Sequence, residues 1–409
     1  MKTSIHVWLS TALGVLVLLA SPLAAQYPAP GFGLAPGYGP PPGYGPAPYP
    51  GMGQMMAPGM APMGVAPANF VGPNYSLQQA APVSHLAGAE CEECGHDSCA
   101  GECSGCYDCG WCYRVGVFAD FLYLRPRDAE VAYAVPVNGP VVSPLTQPPI
   151  EVGRVGMTDG EFRAAFRGGF TYVLSPGRSI TAQYTMFESN ITDSISTAAP
   201  NVLYSLVAHP STFTAGNQML DAEASHSIDF DLVDVDYRGM IDCGDLYQTN
   251  FLLGVRYAKL DQQFRSTFSA AGTENVDTNI YFDGLGVRAG LEGERFTASR
   301  RWLAYGRLIG SLMAGEFSAD YRQSRSFDPT VVQTSWEAGR LVPILDLELG
   351  FGWQSRCGTW RITCGYMFNS WFNVVKTDDW IDRVKQSDFV DLGDTLTFDG
   401  LIARVEGRF

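Results

Sequence analysis

The chain has 409 residues, 42 acidic and 27 basic, with a formal net charge of -15. This negative charge argues against a nucleic-acid-binding surface. The mean hydropathy is close to zero, and after residue 25 no apolar run reaches the ~18 residues of a transmembrane helix, which excludes helical membrane spans.

The first 25 residues have the three-part pattern of a secretory signal peptide. Lys2 provides the positive start, an apolar stretch runs from Ile5 to Ala20, and small residues follow. We predict cleavage between Ala25 and Gln26. The apolar run is short for an uncleaved membrane anchor, so export is the favoured interpretation.

Residues 26–88 form a low-complexity leader rich in Pro, Gly, Tyr and Met. Its repeats are variations on Gly37-Tyr38-Gly39-Pro40. Pro and Gly at this density prevent helices and strand ladders, which predicts a disordered segment. It is either a spacer or an adhesive segment whose Tyr and Met side chains contact cell-wall polymer or another protein.

Residues 89–113 are rich in cysteine. The cluster contains Cys91, Cys94, Cys99, Cys103, Cys106, Cys109 and Cys112. In the cytosol such C-x-x-C spacing would favour zinc, but behind a signal peptide the compartment is oxidising and disulfides are favoured. Because seven is odd, at least one thiol of the cluster is free or pairs outside it, and cross-links between chains are a further interpretation.

From residue 114 to residue 409 the pattern changes to alternating strands, and we predict an all-β fold. In the clearest strand Leu345, Leu347 and Leu349 alternate with Asp346 and Glu348. The ten predicted strands lie near 116–126, 161–174, 178–189, 226–239, 247–257, 285–291, 302–322, 345–353, 360–368 and 401–409. In the fourth, the apolar phase slips between Leu232 and Val233, and we expect a β-bulge there.

The lengths of the connections predict an antiparallel transmembrane β-barrel of about ten strands, in the range 8–12. Connections near 175–178, 240–245, 293–300 and 354–358 are short, whereas those near 127–160, 190–225, 264–277, 323–337 and 369–393 are long. Short periplasmic turns and long outer loops are typical of outer-membrane barrels. The leader then lies on the periplasmic side.

The residues that alternate with lipid-facing positions are predicted to line the lumen. These candidates are Asp120, Arg163, Arg167, Arg256, Arg288, Asp346, Glu348, Arg361, Arg404 and Arg408. Since the first and last strands of a closed barrel are neighbours, Asp120 is expected to pair with Arg404 or Arg408. The acidic run of Asp229, Asp231, Asp234 and Asp236 lacks the spacing of a calcium loop and is interpreted as lumen charge paired with Arg.

The chain ends on a strand with a terminal aromatic residue. Leu401, Ala403, Val405 and Phe409 share one face of this strand. This pattern is typical of the insertion signal of outer-membrane barrels, and it predicts the barrel-assembly machinery as a partner.

The segment Phe118-Ala119-Asp120-Phe121-Leu122-Tyr123-Leu124-Arg125-Pro126, with Tyr133-Ala134 after it, resembles the opening strand of the Legionella-type major outer membrane protein family. The version expanded in planctomycetes is similar, with a signal peptide, a Pro/Gly/Tyr-rich leader and a Cys-rich stretch. The resemblance covers residues 114–409 and, more loosely, the leader. It implies a porin-like outer-membrane barrel and carries over no catalytic residues.

Enzyme signatures such as G-x-S-x-G, H-E-x-x-H and the P-loop do not occur in the sequence, and neither catalytic activity nor a cofactor or metal is predicted. Two functions remain. The protein is a porin-like barrel that passes or filters small solutes, or it is a structural envelope protein anchored by its barrel and cross-linked through its Cys-rich leader. The expected location is the bacterial outer membrane, with its lipid as a partner.

Overall fold

The computed structural model describes residues 113–139, 150–212, 219–356 and 358–409. The predicted signal peptide, cleavage point, leader and seven-cysteine cluster lie outside these residues.

Thirteen strands, one 3-10 turn (Pro210–Thr212) and one α-helix make up the described part of the chain. They are β1 (Val115–Arg127), β2 (Val131–Val137), β3 (Gly156–Thr158), β4 (Arg163–Ser175), β5 (Arg178–Ser196), β6 (Val202–Ser205), β7 (Asp221–Gly244), β8 (Tyr247–Ser269), β9 (Thr273–Phe296), β10 (Trp302–Arg325), β11 (Asp328–Gln354), β12 (Trp360–Val374), α1 (Thr377–Gln386) and β13 (Asp394–Arg408).

Ten of these strands form a closed antiparallel barrel, which confirms the predicted fold. The order around the wall is β1-β13-β12-β11-β10-β9-β8-β7-β5-β4, and β4 closes the ring by pairing with β1. The remaining strands form a small sheet in the order β3-β2-β6.

The strands from β7 to β11 are longer than the sequence predicted. They have 23 to 27 residues, whereas about ten are enough to span a bilayer when tilted. Two of the predicted long loops were therefore wrong. Most of 264–277 and 323–337 is strand, and β8–β9 and β10–β11 are joined by tight turns. The predicted connection 190–225 is shorter than expected, because β5 extends to Ser196 and β7 begins at Asp221.

Each long strand has two halves with opposite polarity. Toward the short turns, outward positions are apolar and exposed, such as Val235 and Val287, while inward positions such as Asp234 and Arg288 are charged and buried. Toward the other end the inward positions are apolar and the outward ones polar. An apolar exterior suits lipid and a polar exterior suits water, so only the half near the short turns spans the membrane.

Strand β7 shows this change directly, and the bulge predicted there was wrong. Its register with β5 is continuous from Arg178↔Gly239 to Ser196↔Asp221, and its one register shift, with β8, lies between Met240 and Asp242. Leu232 and Asp234 both point inward and are buried. The apparent phase slip marks the membrane boundary, where the apolar face passes from the inside of the barrel to the outside.

The outer half of the barrel contains an apolar core. Helix α1 contributes Trp380, Ile381 and Val384 to it, and β2 contributes Tyr133. The apolar residues of α1 recur at helical spacing on one side. Asp378 and Asp379 in its first turn and Arg383 and Lys385 in its last match the helix dipole. We call α1 and the small sheet the plug.

Within the described ranges, no helix is both long and apolar enough to cross a membrane.

Candidate functional site

The inward charges of the membrane-spanning half form one set of ion pairs, which we call the interior charge network. It consists of Arg167, Arg238, Arg256, Arg288, Arg307, Arg361, Arg404, Arg408, Asp120, Asp234, Asp236, Glu292, Glu294, Asp346, Glu348 and Glu406. Eight positive charges face eight negative ones, so the network is neutral as a whole.

Asp120 on β1 is the centre of the first part of the network. Its register partners are Arg404 on β13 and Arg167 on β4. Arg404 donates from Nε to Oδ1 at 2.7 Å and from Nη2 to Oδ2 at 2.9 Å, and Arg167 donates from Nε to Oδ2 at 2.5 Å. This carboxylate therefore joins three neighbouring strands where the ring closes.

Glu348 on β11 extends this group across the lumen. Arg167 donates to its Oε2 at 2.9 Å, and Arg307 on β10 lies 3.6 Å from the same oxygen. Arg307 also pairs with Glu292 at 2.8 Å, and Arg238 on β7 lies 3.2 Å from that carboxylate. Side chains from opposite walls thus meet in the interior.

Asp234 on β7 is the centre of the second part. Arg256 on β8 binds it through two hydrogen bonds, 2.7 and 3.0 Å long, and Gln183 on β5 donates to it at 2.8 Å. Arg256 also donates to Asp346 across the lumen at 2.8 Å. Arg288 pairs with Asp234 and lies 3.4 Å from Asp236.

Two further pairs lie nearer the short turns. Arg361 binds Glu294 with two hydrogen bonds of 2.8 and 3.0 Å, and Arg408 binds Glu406 with bonds of 2.8 and 3.2 Å. The guanidinium carbon of Arg408 lies 4.9 Å from the ring centre of Tyr113. Tyr113 therefore lies at the short-turn end of the barrel.

The network and the apolar core leave little space between them. The cavity at their junction measures about 30 Å³ and is lined by residues that include Arg167, Arg256, Arg307, Glu348, Phe230 and Met367. A water molecule needs roughly 10–15 Å³ of such volume, so the cavity has room for two or three water molecules at most.

Polar contacts hold α1 against both the wall and the small sheet above this cavity. The ammonium group of Lys376 donates to the carbonyl of Asp128, just after β1, at 2.9 Å. The ammonium group of Lys385 donates to the carbonyl of Leu206, just after β6 of the plug, at 2.6 Å. Thr377 Oγ1 lies 3.3 Å from Nε2 of the buried His226 on β7. These bonds hold α1 inside the barrel mouth.

Nine of the ten lumen candidates lie in the interior charge network. Asp120 pairs with Arg404, one of the two expected partners, while Arg408 pairs with Glu406. Arg163 lies outside the network, half-exposed, and bonds to Glu161 and to the Asn190 carbonyl.

The interpretation of the acidic run on β7 was half wrong. Asp234 and Asp236 point inward, whereas Asp229 and Asp231 point outward beyond the membrane-spanning half. Asp229 accepts from Ser189 and Ser227, and Asp231 accepts from the Tyr184 hydroxyl.

Five members of the network were not predicted from the sequence, namely Arg238, Glu292, Glu294, Arg307 and Glu406. Glu406 was visible as part of the alternation of the last strand. The disulfide bond of Cys243 was not predicted either. In the described part of the chain no group of three or more His, Cys, Asp or Glu side chains is placed to hold a metal ion.

Comparison with known families gives one match. The model of the family described as Legionella pneumophila major outer membrane protein precursor matches residues 112–399. No curated protein matches the chain.

Several solved barrel structures are similar in fold. The outer membrane protease OmpT from Escherichia coli is 10% identical, with 72% of this chain and 97% of that chain covered and a TM-score of 0.40. A Pseudomonas aeruginosa FadL homologue is 9% identical (72% and 89% covered, TM-score 0.21). The Ralstonia pickettii toluene transporter TbuX is 8% identical (72% and 90% covered, TM-score 0.18). Likenesses this distant say nothing about the activity of this chain.

Proposed function

The chain belongs to the family of the Legionella pneumophila major outer membrane protein, and from this premise we propose that it is a structural outer-membrane protein whose closed barrel anchors its leader in the cell envelope. The observation that carries the proposal is the filled interior of the barrel. The interior charge network occupies the membrane-spanning half and the apolar plug occupies the outer half.

Energetics supports a lumen that stays closed. Removing one partner of a buried ion pair typically costs ~3–5 kcal/mol, so the network resists opening. The apolar core above the network contains the fully buried Trp371 and Trp380. A solute would have to separate both layers in series. A barrel used for free diffusion would not need either of them.

The position of the leader also supports an anchoring role. The amide groups of Arg114 and Val115 donate to the Phe409 carbonyl at 2.8 and 2.9 Å, so the chain enters the barrel at the short-turn end. That end faces the periplasm in outer-membrane barrels. On this proposal the seven cysteines of residues 91–112 cross-link to neighbouring periplasmic proteins, and the leader contacts cell-wall polymer.

The last strand supports assembly by the outer-membrane barrel-assembly machinery. Leu401, Val405 and Phe409 are exposed on the outer face of β13, and Ala403 lies between them on the same face. The signal is therefore accessible from the lipid side.

A planar bilayer tests the closed lumen. We expect the full chain to give no stable conductance steps, although it migrates as a folded barrel on unboiled gels. Frequent salt-dependent steps from folded protein would contradict the closed-lumen proposal.

Extraction from the envelope tests the anchor. We expect the wild-type protein to resist mild detergent until a reductant is added. A variant with Ser at the seven cysteines of the cluster should be extracted without reductant, and because it keeps Cys243 it is a matched control. Equal extraction of both proteins without reductant would contradict cross-linking through the cluster.

Porin-like passage of small solutes is the second candidate. One observation favours it, since the plug is built from connecting segments and not from the barrel wall. Its displacement would expose the charged interior while the ten-stranded ring stayed intact. Conductance steps that appear only after a plug-weakening change, such as Lys376→Met, would support this candidate.

A further inference from the structure

The arginines of the described ranges form two groups, those whose side chain contacts another residue and those whose side chain does not. Eighteen have a side-chain interaction, and five make no side-chain hydrogen bond or ion pair with the part of the chain that the structure describes: Arg114, Arg178, Arg295, Arg301 and Arg356. We call these five the rim arginines.

All five rim arginines lie at the short-turn end of the barrel. Arg114 precedes β1, Arg178 follows the β4–β5 turn, and Arg356 lies in the β11–β12 turn. Arg295 and Arg301 flank the β9–β10 turn. Four are exposed and Arg301 is half-buried. The positive charges are thus spread around the ring and not gathered in one pocket.

Most exposed arginines of the opposite end are paired with carboxylates. Arg154 lies 3.2 Å from Asp193, Arg265 lies 2.6 Å from Asp277, and the partly buried Arg125 lies 2.9 Å from Asp159. The exposed Arg322 donates to the Pro329 carbonyl. Local carboxylates therefore neutralise most cations at the outer end but leave the rim arginines uncompensated. This contrast indicates that an anion from outside the described chain completes them.

The rim arginines lie beside exposed aromatic side chains. Arg295 is the register partner of Tyr247, and Arg301 precedes Trp302. Tyr247, Trp302, Trp360 and Phe409 are 45%, 60%, 52% and 66% exposed. Aromatic residues of this kind mark the level of the lipid headgroups, and long basic side chains near them extend to the interface.

We propose that the rim arginines bind the phosphate groups of anionic phospholipids in the leaflet around the short-turn end. A guanidinium group matches two phosphate oxygens with a planar pair of donors. The carboxylates nearby do not fill this role, since Glu294 pairs with Arg361 and Asp242 accepts from the Tyr247 hydroxyl at 3.0 Å. Asp242 keeps its negative charge in this hydrogen bond, and Asp245 is exposed in the β7–β8 turn, so two carboxylates lie beside the five rim arginines.

The test uses the full chain folded in vesicles that mix phosphatidylcholine with phosphatidylglycerol, one of the two brominated at a time. Bromine quenches tryptophan at short range, and Trp302 and Trp360 report on the rim. We expect phosphatidylglycerol to bind the rim about fivefold more tightly than phosphatidylcholine, from the typical attraction of one basic residue to an anionic surface. In ~1 M salt, where the screening length is ~3 Å, the ratio should fall toward one.

A matched pair of variants decides the assignment. R178Q/R295Q/R301Q/R356Q should bring the ratio close to one, whereas R125Q/R154Q/R265Q, which removes carboxylate-paired arginines of the outer end, should keep it. Should the quadruple variant not fold, R178Q and R356Q alone should each lower the ratio in part.

An unchanged preference in the rim variants, or no preference in the wild type, overturns the proposal. One further result would show that the rim arginines bind carboxylates of the same chain and not lipid phosphates. If the lipid ratio is unchanged but the rim variants alter cross-linking of the cysteine cluster, the arginines serve the acidic Cys-rich segment of residues 89–113, and the lipid assignment is wrong.

Discussion

Asp120 shows how a single buried carboxylate holds the closure of the ring. It is fully buried and accepts hydrogen bonds from Arg404 and Arg167, which lie directly opposite it on the two neighbouring strands. Without this carboxylate, two guanidinium groups would lie next to each other in a space that water scarcely enters. The cost of such unpaired charge sets the size of the expected effect.

We predict that Asp120→Asn lowers the free energy of unfolding by about 3–5 kcal/mol. Asparagine keeps the shape but removes the charge that balances Arg404 and Arg167. Urea unfolding in detergent micelles measures the change. Asp245→Asn, on an exposed turn, is the control and should stay within about 0.5 kcal/mol of wild type. Equal unfolding midpoints for the two variants would show that the charge of Asp120 is not needed.

Sequence alternation predicted the interior residues only where both faces of a strand differ clearly. Asp120 and Arg404 were visible because Phe121 and Ala403 beside them are apolar. Arg307 was missed because the two faces of β10 do not differ clearly in polarity at that point. The inward face has the apolar Ile309 next to Arg307, and the outward face has Gly306 and Leu308. Arg163 is on the inward face of β4, as predicted, but it lies nearer the outer end of the barrel than the network does. The alternation of the sequence predicts which face a residue is on and not its position along the barrel axis.

Strand β7 carries the two polarities on one element. Its outward positions are Asp229 and Asp231 above the boundary and Val233 and Val235 below it. The same face of the same strand is therefore in water over one half and in lipid over the other. The unfolding free energy lost by placing a charge on this face should therefore depend on the position of the residue relative to the membrane boundary.

We predict that Val235→Arg costs about 1–3 kcal/mol of unfolding free energy, because Val235 lies between the membrane boundary, where such a charge costs ~0–1 kcal/mol, and the bilayer midplane, where it costs ~2–4 kcal/mol. Ser227→Arg, on the same face but above the boundary, is the control and should be close to neutral because its side chain stays in water. Unfolding in lipid vesicles gives both values. Similar costs at the two positions would place the membrane boundary elsewhere.

Helix α1 is held partly by a neutral histidine outside the membrane-spanning half. Burial lowers the pKa of His226 to about 4, and its Nε2 atom lies 3.3 Å from Thr377 Oγ1. The ordinary value is ~6.5. The stability that neutral His226 contributes is therefore complete above pH ~6.5 and is lost as the pH falls toward 4, because the unfolded state then binds a proton that the folded state resists.

We predict that amide exchange of residues 377–386 becomes faster as the pH falls from 6.5 to 4.5, after correction for the intrinsic rate. His226→Gln removes the titrating ring, so its plug should show a smaller dependence over the same interval. Carboxylates that titrate nearby act in both proteins alike. The same dependence in the variant would assign the effect to those carboxylates.

At the scale of the whole molecule, the sequence predicted the ring but not its contents. Ten alternating stretches and four short turns were enough for the barrel, since each membrane-spanning half has a lipid face. The plug was not predictable in this way. Residues 131–137 and 377–386 lie in connections, and their apolar residues pack inside the barrel mouth, so alternation with a lipid face does not apply to them.

A closed ring with a filled interior should resist sodium dodecyl sulfate at room temperature. Strand β4 pairs with β1, which leaves no free edge in the ring, and the interior ion pairs join its strands from within. We predict faster gel migration for unboiled than for boiled protein. Asp120→Asn should lower the temperature of this change, because it weakens the seam at which β13, β1 and β4 meet. Identical mobility before and after boiling would contradict a ring stabilised by its interior.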